Sequence, residues 1–169
     1  MPVSFEQFAG AMARVPGPVA VVTTVDGSGR RWGFTASSFV SLSADPPLVL
    51  VCLGKEASTY EAFAFSRCFL VSVLACGQAG VAARFAASGV DRFEAGDTVV
   101  AELGLPGVPG AAARLGCSMH EVLDGGDHSI LVGRVEAVAR GDRPALVYCD
   151  RVFARPAVAE DAGRVVSAS

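Results

Sequence analysis

The sequence lacks several features that assign a chain to a functional class at first sight. It has no G-x-G-x-x-G fingerprint and no Walker loop, which argues against a Rossmann or P-loop nucleotide site. Two histidines in 169 residues are too few for a convincing metal cluster. The formal net charge of −3 provides no basic surface for nucleic acid or an anionic membrane, so neither is expected as a partner.

Long apolar runs, a secretory signal and paired cysteine motifs are missing as well. The longest apolar runs are far too short to span a bilayer. The segment MPVSFEQFAG has no basic stretch ahead of an apolar one, so no secretory signal is expected. The five cysteines are odd in number and form no C-x-x-C pair, which argues against a disulfide framework and a zinc site. Together these features predict a cytoplasmic protein.

The chain does contain a series of apolar, β-branched segments separated by turn residues. They predict six strands, over residues 19–25, 30–36, 48–53, 68–74, 129–138 and 145–149. Residues 48–53 lack alternation, so we expect this strand to be covered on both faces. Most connections are turns, which favours an antiparallel barrel or sandwich with peripheral helices. We expect one domain over residues 1–156 and a flexible, small and polar tail over residues 157–169.

Three helices are predicted beside these strands. Ser4 and Gln7 form a capping box for the first helix. Ser58 and Glu61 form another, for a short helix that ends near residue 65, and residues 77–88 predict the third. The high mean hydropathy is consistent with a buried subunit interface.

A run of small hydroxyl residues stands directly before the predicted strand 48–53. It comprises Thr35, Ser37, Ser38, Ser41 and Ser43. Hydroxyls and backbone amides in a loop can hold a phosphate or bond the polar edge of a heteroaromatic ring. The alternative is a turn in which the hydroxyls satisfy their own backbone, and spacing alone leaves both interpretations open.

The segment GGDHS, residues 125–129, places one of the two histidines at a loop-to-strand junction. His128 could meet a ligand there, by hydrogen bonding or by stacking on a ring, or it could be a surface residue of a Gly-rich hairpin turn. Adjacent residues of a strand point to opposite faces, so Asp127, His128 and Ser129 cannot form a catalytic triad among themselves. Since no G-x-S-x-G elbow is present either, a serine hydrolase is disfavoured.

Two arginine–phenylalanine pairs form the last candidate group. Arg84 and Arg92 stand directly before Phe85 and Phe93. An arginine can hold a phosphate through paired N–H donors. From sequence alone, a solvated charge beside a core phenylalanine is the favoured interpretation.

Taken in order, five segments resemble the flavin reductase-like, FMN-binding split-barrel family: VAVVTTVDGSGRRWGFTASSFVSLSADPPLVLVCL, FLVSVLACGQAGVAARFA, DRF, GDHSILVGRVEAV and PALVYCDRVF. The resemblance covers nearly the whole chain, and T-A-S-S, D-P-P and G-D-H in this order are its most specific part. It implies a homodimer whose fold is an antiparallel Greek-key split β-barrel with peripheral helices. It also implies a short-chain flavin reductase that reduces FMN or FAD with NADH or NADPH and supplies reduced flavin, by diffusion, to a flavin-dependent monooxygenase.

The resemblance further implies roles for individual residues. His128 matches a histidine that contacts the nicotinamide and is the expected catalytic residue. Lys55, Ser58 and Thr59 match the place where the flavin phosphate is held, and a helix start next to a lysine suits an anion. The expected cofactor-binding residues are Thr35, Ala36, Ser37, Ser38, Ser41, Cys52, Leu53, Lys55, Ser58, Thr59, Arg92, Phe93, Asp127 and His128.

Two alternative functions stay open at this point. One is an enzyme similar to pyridoxamine-phosphate oxidase, which would retain its FMN and act on a separate organic substrate. The other is a flavin- or haem-binding protein of the same fold without turnover. The G-D-H segment favours the reductase, because a carrier has no need of a histidine that faces nicotinamide.

Overall fold

The computed structural model describes residues 3–157 and consists mainly of antiparallel strands. Its strands, in chain order, are β1 (Gly17–Pro18), β2 (Ala20–Val25), β3 (Arg31–Ala36), β4 (Val40–Ala44), β5 (Pro47–Gly54), β6 (Cys68–Val73), β7 (Val99–Val100), β8 (Pro106–Gly107), β9 (Ala113–Gly125), β10 (His128–Arg140), β11 (Val147–Cys149) and β12 (Val152–Ala154). The helices are α1 (Phe5–Ala13), α2 (Tyr60–Ala64) and α3 (Ala79–Ala86), with a 3-10 turn at Glu102–Gly104. The prediction of a mainly β fold with peripheral helices is confirmed. The tail predicted to be flexible lies, apart from residue 157, outside the described residues.

Seven strands form the main sheet, in the order β3-β2-β6-β9-β10-β5-β4, and every neighbouring pair is antiparallel. A small sheet of β1, β11 and β12 and the pair β7–β8 lie outside it. The two edge strands of the main sheet, β3 and β4, follow each other in the chain and are separated only by residues 37–39. The sheet is not closed, but this short connection keeps its two edges near each other.

Two hydrophobic clusters cover β2, the most deeply buried strand. Ala20 and Val22 belong to one cluster, together with the T-shaped pair Phe34–Phe63, whose ring centroids are 5.0 Å apart. Val21 belongs to the other cluster, into which α3 packs. Because both faces of β2 are covered, its continuous apolar and β-branched sequence is explained. Each fully buried valine or phenylalanine side chain contributes about 1.5–3 kcal/mol relative to an exposed one.

The strand predicted at residues 48–53 is present as part of β5, but its burial differs from the prediction. Val49, Val51 and Leu53 are buried, whereas the residues between them are only half-buried. The expectation that both faces would be covered is wrong for this chain. β5 is the second strand from the sheet edge, and one of its faces stays partly open to solvent.

Two strands of the main sheet, β4 and β9, are absent from the sequence prediction, as are the short strands β1, β7, β8 and β12 outside it. β9 is one of the longest strands and pairs with both β6 and β10. Its sequence ARLGCSMHEVLDG does not alternate, and its register against β10 shifts at Val132–Gly133 and again between Val135 and Ala137. Such bulges interrupt the period of two from which a strand is recognised.

The capping box predicted for α1 is present. The backbone N–H of Ser4 donates to Gln7 Oε1 at 3.0 Å, and the N–H of Gln7 donates to Ser4 Oγ at 3.2 Å. The apolar face of this helix is exposed: Phe5, Phe8 and Met12 are 85%, 59% and 49% accessible. No helix within residues 3–157 is long and apolar enough to cross a bilayer.

The capping box predicted at Ser58 and Glu61 is wrong. The N-cap of α2 is Thr59, and its side chain makes no capping bond. A turn precedes the helix, in which the N–H of Tyr60 donates to Ala57 O at 2.9 Å. This turn delays the helix by one residue, so Ser58 is too early in the chain to cap it.

Candidate functional site

A cavity of about 450 Å³ opens where β3, β5, α2 and the start of β10 meet the C-terminal end of α3. It is lined by Phe34, Thr35, Cys52, Leu53, Gly54, Glu56, Ala57, Ser58, Thr59, Phe85, Ala86, Ser88, Gly89, Arg92 and His128. Phe34, Leu53 and Phe85 are buried and give it an apolar wall. An apolar wall with a few convergent polar groups, in a volume of this size, is typical of a small-molecule site.

Half of the residues predicted to bind a cofactor line this one cavity. They are Thr35, Cys52, Leu53, Ser58, Thr59, Arg92 and His128. These residues come from β3, β5, the turn before α2, the loop after α3 and the start of β10. The fold therefore brings together stretches that are far apart in the sequence.

Five of the other predicted residues are separate from the cavity. Ala36 and Phe93 are buried in the two hydrophobic clusters. Ser41 is exposed on the edge strand β4. Ser37 and Ser38 line a different depression, of about 700 Å³, between α1 and residues 37–40.

Two of the five hydroxyl residues of the run, Thr35 and Ser38, form hydrogen bonds with backbone groups. Thr35 Oγ1 donates to Ala82 O of α3 at 2.7 Å. The backbone N–H of Cys52 in β5 donates to Ser38 Oγ at 2.9 Å. Thr35 thus anchors α3 beside the cavity, and Ser38 links the β3–β4 connection to β5. For these two residues the structure favours the interpretation of hydroxyls that satisfy backbone groups.

Thr59 carries a polar atom that the protein leaves without a partner. The residue is 1% accessible, and Thr59 Oγ1 is the one buried side-chain oxygen or nitrogen among residues 3–157 that makes no hydrogen bond. A buried hydroxyl without a partner costs about 1–3 kcal/mol. Since Thr59 lines the cavity, a polar ligand group can remove this cost.

Arg92 presents a half-buried guanidinium without a counter-ion. Its Nε and Nη2 donate to Ala87 O at 3.1 and 2.9 Å, and its Nη1 donates to Gly33 O at 2.9 Å. No carboxylate within the described residues lies within 4.0 Å of it. Burial lowers the pKa of Arg92. Two of the five N–H donors of a guanidinium remain for a ligand, and a phosphate would supply the missing negative charge.

His128 stands at the rim of the cavity with one ring nitrogen fixed. Its Nδ1 donates to Asp127 Oδ1 at 2.7 Å, and this bond holds the pKa of Asp127 below its usual range. Nε2 is the nitrogen that remains for a substrate. Lys55 lies between the lining residues Gly54 and Glu56 in the chain but does not itself line the cavity, and its backbone N–H donates to Asp127 O at 3.0 Å. Its ammonium pairs with Asp124, which raises the pKa of Lys55 and lowers that of Asp124.

Two sequence-based alternatives can be judged from these contacts. Arg84 pairs with Asp97 at 2.5 and 2.6 Å and does not line the cavity, so it is a structural charge rather than a ligand contact. Ser129 is buried and its hydroxyl is 2.8 Å from the hydroxyl of Tyr60. Ser129 is therefore not placed to act as a nucleophile activated by His128, because its hydroxyl contacts Tyr60 instead.

Several lining residues were missed by the sequence analysis. Gly54 is opposite His128 in the β5–β10 register, and a Cβ there would lie 3.7 Å from His128 Nε2. Ser88 and Gly89 follow α3, and Gly89 has a φ of +73°, which glycine adopts without strain. The Ser-Gly pair after a predicted helix was a signal that could have marked this turn. Glu56 carried no such signal.

The geometry defines a β protein with a small-molecule cavity. Two polar groups that line it, the Thr59 hydroxyl and the Arg92 guanidinium, lack a hydrogen-bond partner and a counter-ion, respectively, that an anionic ligand could supply. A family model described as "Flavin reductase like domain" matches residues 12–157. The chain belongs to this family.

Curated relatives in the family carry several names. The chain is 45% identical over 161 residues to an actinorhodin polyketide dimerase of Streptomyces coelicolor, covering 94% of this chain and 89% of that one. It is 40% identical over 154 residues to an NADH:riboflavin 5'-phosphate oxidoreductase of Streptomyces pristinaespiralis, covering 89% and 88%. It is also 40% identical over 132 residues to the reductase subunit of a flavin-dependent monooxygenase of Rhodococcus jostii, covering 77% and 67%.

The fold of this chain is also similar to that of a solved structure. The NADH:FAD oxidoreductase of Streptomyces globisporus, in complex with NAD and FAD fragments, aligns with a TM-score of 0.85 at 37% identity. The alignment covers 96% of this chain and 100% of that one. The similarity therefore extends over almost the entire fold, the cavity included.

Proposed function

We propose that this protein is an NAD(P)H:flavin oxidoreductase that reduces FMN or FAD and supplies reduced flavin to a partner monooxygenase. The observation that carries the proposal is the cavity itself. Seven residues expected to bind flavin or nicotinamide line it, and two of them, Thr59 and Arg92, lack the partner that a phosphate would supply. The names of the relatives support the same activity.

The cavity residues fit a phosphorylated flavin in their chemistry. Thr59 and Arg92 offer the donors that a phosphate needs, with Ser58 beside them. Leu53 of β5 lines the cavity with an apolar side chain that suits a flat ring, and Cys52 lines the cavity next to it. When bound, the nicotinamide supplies a hydride from C4 that the flavin accepts at N5, so the protein needs no acid, base or nucleophile.

The chain's own contribution is to bind and orient the two rings. Phe34, Leu53 and Phe85 keep water from one side of the cavity. The Asp127 carboxylate fixes the imidazole of His128 through Nδ1, so that Nε2 is presented to a nicotinamide amide group. Holding two reactants in a reactive geometry is itself a large source of rate acceleration, and this accounts for a site without a catalytic triad.

We also propose the finer fold, an FMN-binding split β-barrel in a single domain. The sheet edges β3 and β4 are joined by residues 37–39, and Ser38 Oγ accepts a bond from Cys52 of β5 across the gap between them. Two sheet edges that are held this close to each other support a barrel with one open seam. The family match over residues 12–157 supports a single domain close to the predicted range of 1–156.

The exposed apolar surface supports a homodimer. Besides the α1 face, Val40 and Leu42 on the edge strand β4 are 50% and 51% accessible, and one face of β5 is only half-buried. Apolar areas of this kind are usual at subunit interfaces. A cytoplasmic location is supported by the cysteines, all five of which are free, and by the intracellular reductant that the reaction requires.

Steady-state oxidation of NADH and NADPH, with and without added FMN, FAD or riboflavin, tests the proposal. We expect little oxidation without flavin and strong stimulation by added flavin. Activity that is indifferent to added flavin would indicate a retained prosthetic group, as in the oxidase alternative. Flavin binding without any turnover would indicate a carrier.

A further inference from the structure

A second groove lies next to the cavity and is continuous with it. It has a volume of about 750 Å³ and is lined by Gly29, Arg30, Arg31, Trp32, Gly33, Ser58, Gly89, Val90, Asp91, Arg92 and Phe93. Ser58, Gly89 and Arg92 also line the cavity. The guanidinium of Arg92 therefore stands at the boundary between the two spaces.

The groove carries a surplus of positive charge. Three arginines line it, against one carboxylate, Asp91, whose Oδ1 already accepts the N–H of Phe93 at 2.9 Å. Among residues 3–157, none of the three arginines has a carboxylate within 4.0 Å. In a chain whose net charge is −3, this is a local exception that favours an anion.

The same arginines are arranged on aromatic rings. The guanidinium carbon of Arg30 lies 4.1 Å from the ring centroid of Trp32, and that of Arg31 lies 4.7 Å from the ring of Phe93. Trp32 is held in place because its Nε1–H donates to Asp26 Oδ2 at 2.7 Å. A planar guanidinium ordered on a ring can stack on a further flat group while it bonds a phosphate.

We infer that this groove binds the adenosine phosphate end of a dinucleotide substrate. The inference rests on the proposed function. If the cavity takes the flavin and its first phosphate near Arg92, the adjoining groove, which shares Arg92 with the cavity, is a space that can receive the rest of a dinucleotide. Adenosine 5′-phosphate occurs in all three candidate dinucleotides, FAD, NADH and NADPH. The arginines would meet the phosphate, and the Arg30–Trp32 stack would meet adenine.

Direct binding measurements on a double variant test the inference. In Arg30→Gln/Arg31→Gln, the Kd for FAD should rise about three- to tenfold, a modest change because both groups are exposed. The Kd for FMN, which ends before the groove, should change by less than about twofold. The matched control is Arg134→Gln/Arg140→Gln, which removes the same charge from β10, outside both linings. It should leave both constants unchanged.

Two arms separate the sources of adenosine phosphate. A larger loss for FAD than for FMN, at unchanged KM values for both NADH and NADPH, assigns the groove to FAD. A loss confined to the KM for NADPH assigns it to the 2′-phosphate of that nucleotide. Trp32 is the only tryptophan of the chain, so its fluorescence in the wild type should also respond saturably to AMP, without any variant.

The inference is overturned if wild-type Trp32 emission does not respond to AMP, or if the double variant loses FAD, FMN and NADPH affinity to the same extent. It is also overturned if the Arg134→Gln/Arg140→Gln control weakens FAD binding more than FMN binding, because the effect would then not depend on the groove. These outcomes differ from failure of the proposed function, in which no flavin binds to the wild type or none is reduced by it.

Discussion

Replacing Thr59 with valine tests the candidate site, because the substitution should stabilise the flavin-free protein and at the same time weaken flavin binding. Valine keeps the shape of threonine but removes the hydroxyl, whose oxygen is buried and unpartnered. Because an unpaired buried hydroxyl costs about 1–3 kcal/mol, Thr59→Val should raise the free energy of unfolding of the flavin-free protein by about 1 kcal/mol or more. In a domain of this size, about 1 kcal/mol corresponds to an increase in Tm of about 2–4 °C.

The same substitution should weaken the binding of a phosphorylated flavin. A hydrogen bond to a charged group contributes about 1.5–3 kcal/mol, and about 1.4 kcal/mol is tenfold in Kd. The Kd for FMN should therefore rise about ten- to a hundredfold, whereas that for riboflavin, which has no phosphate, should change by less than about twofold. Calorimetric titration with both flavins and thermal unfolding of the flavin-free protein give the two quantities.

Thr59→Ser is the matched control, since serine keeps the hydroxyl and loses only the methyl group. It should retain FMN affinity within a few-fold while its Tm falls slightly below that of the wild type. The reasoning is refuted if Thr59→Val melts below the wild type, because the hydroxyl would then have a structural partner. Equal losses for FMN and riboflavin would refute the assignment to phosphate.

Three further substitutions test the rim of the cavity, the β2–β3 hairpin and the hydrophobic core. His128→Ala should lower kcat/KM for NAD(P)H about five- to a hundredfold with flavin affinity kept, as pre-steady-state flavin reduction can show. Hydrogen bonds from the side chains of Ser28 and Trp32 hold the pKa of Asp26 well below its usual range, so its stabilisation is present above about pH 4 and is lost as pH falls through the folded-state pKa. Asp26→Asn should therefore flatten the decline of Tm below about pH 4. Gly133→Ala, whose Cβ would meet the ring of Phe69, should cost about 1–3 kcal/mol in urea unfolding.

Strands could be predicted from the sequence where burial gives a uniform signal. β2 is covered on both faces and is a β-branched run, and β6 is apolar apart from Ser72. β9 could not be predicted, because the bulges against β10 remove its alternation and its residues are half-exposed toward the hairpin end. Its existence depends on pairing with two partners, which is information that no local window contains.

The site could be predicted in part for a similar reason. The resemblance to the flavin reductase-like family predicted Thr35, Thr59, Arg92 and His128 as site residues. All four line the cavity although they are distant in sequence. The resemblance could not show which hydroxyls of the run already form hydrogen bonds within the protein, because that depends on which groups the fold places next to them. Ser38 faces a backbone N–H of β5, whereas Thr59 faces no partner at all.

The contacts of the cavity also bear on whether flavin is held or released. Arg92 has three of its five N–H donors engaged with backbone carbonyls, so at most two remain for a phosphate. Thr59 adds a single hydroxyl, and Lys55, the only lysine of the chain, is already paired with Asp124. Association must also offset the lost translational and rotational freedom of the ligand, which costs at least about 4 kcal/mol. So few phosphate contacts favour a reversible complex, as an enzyme that passes reduced flavin to a second protein requires.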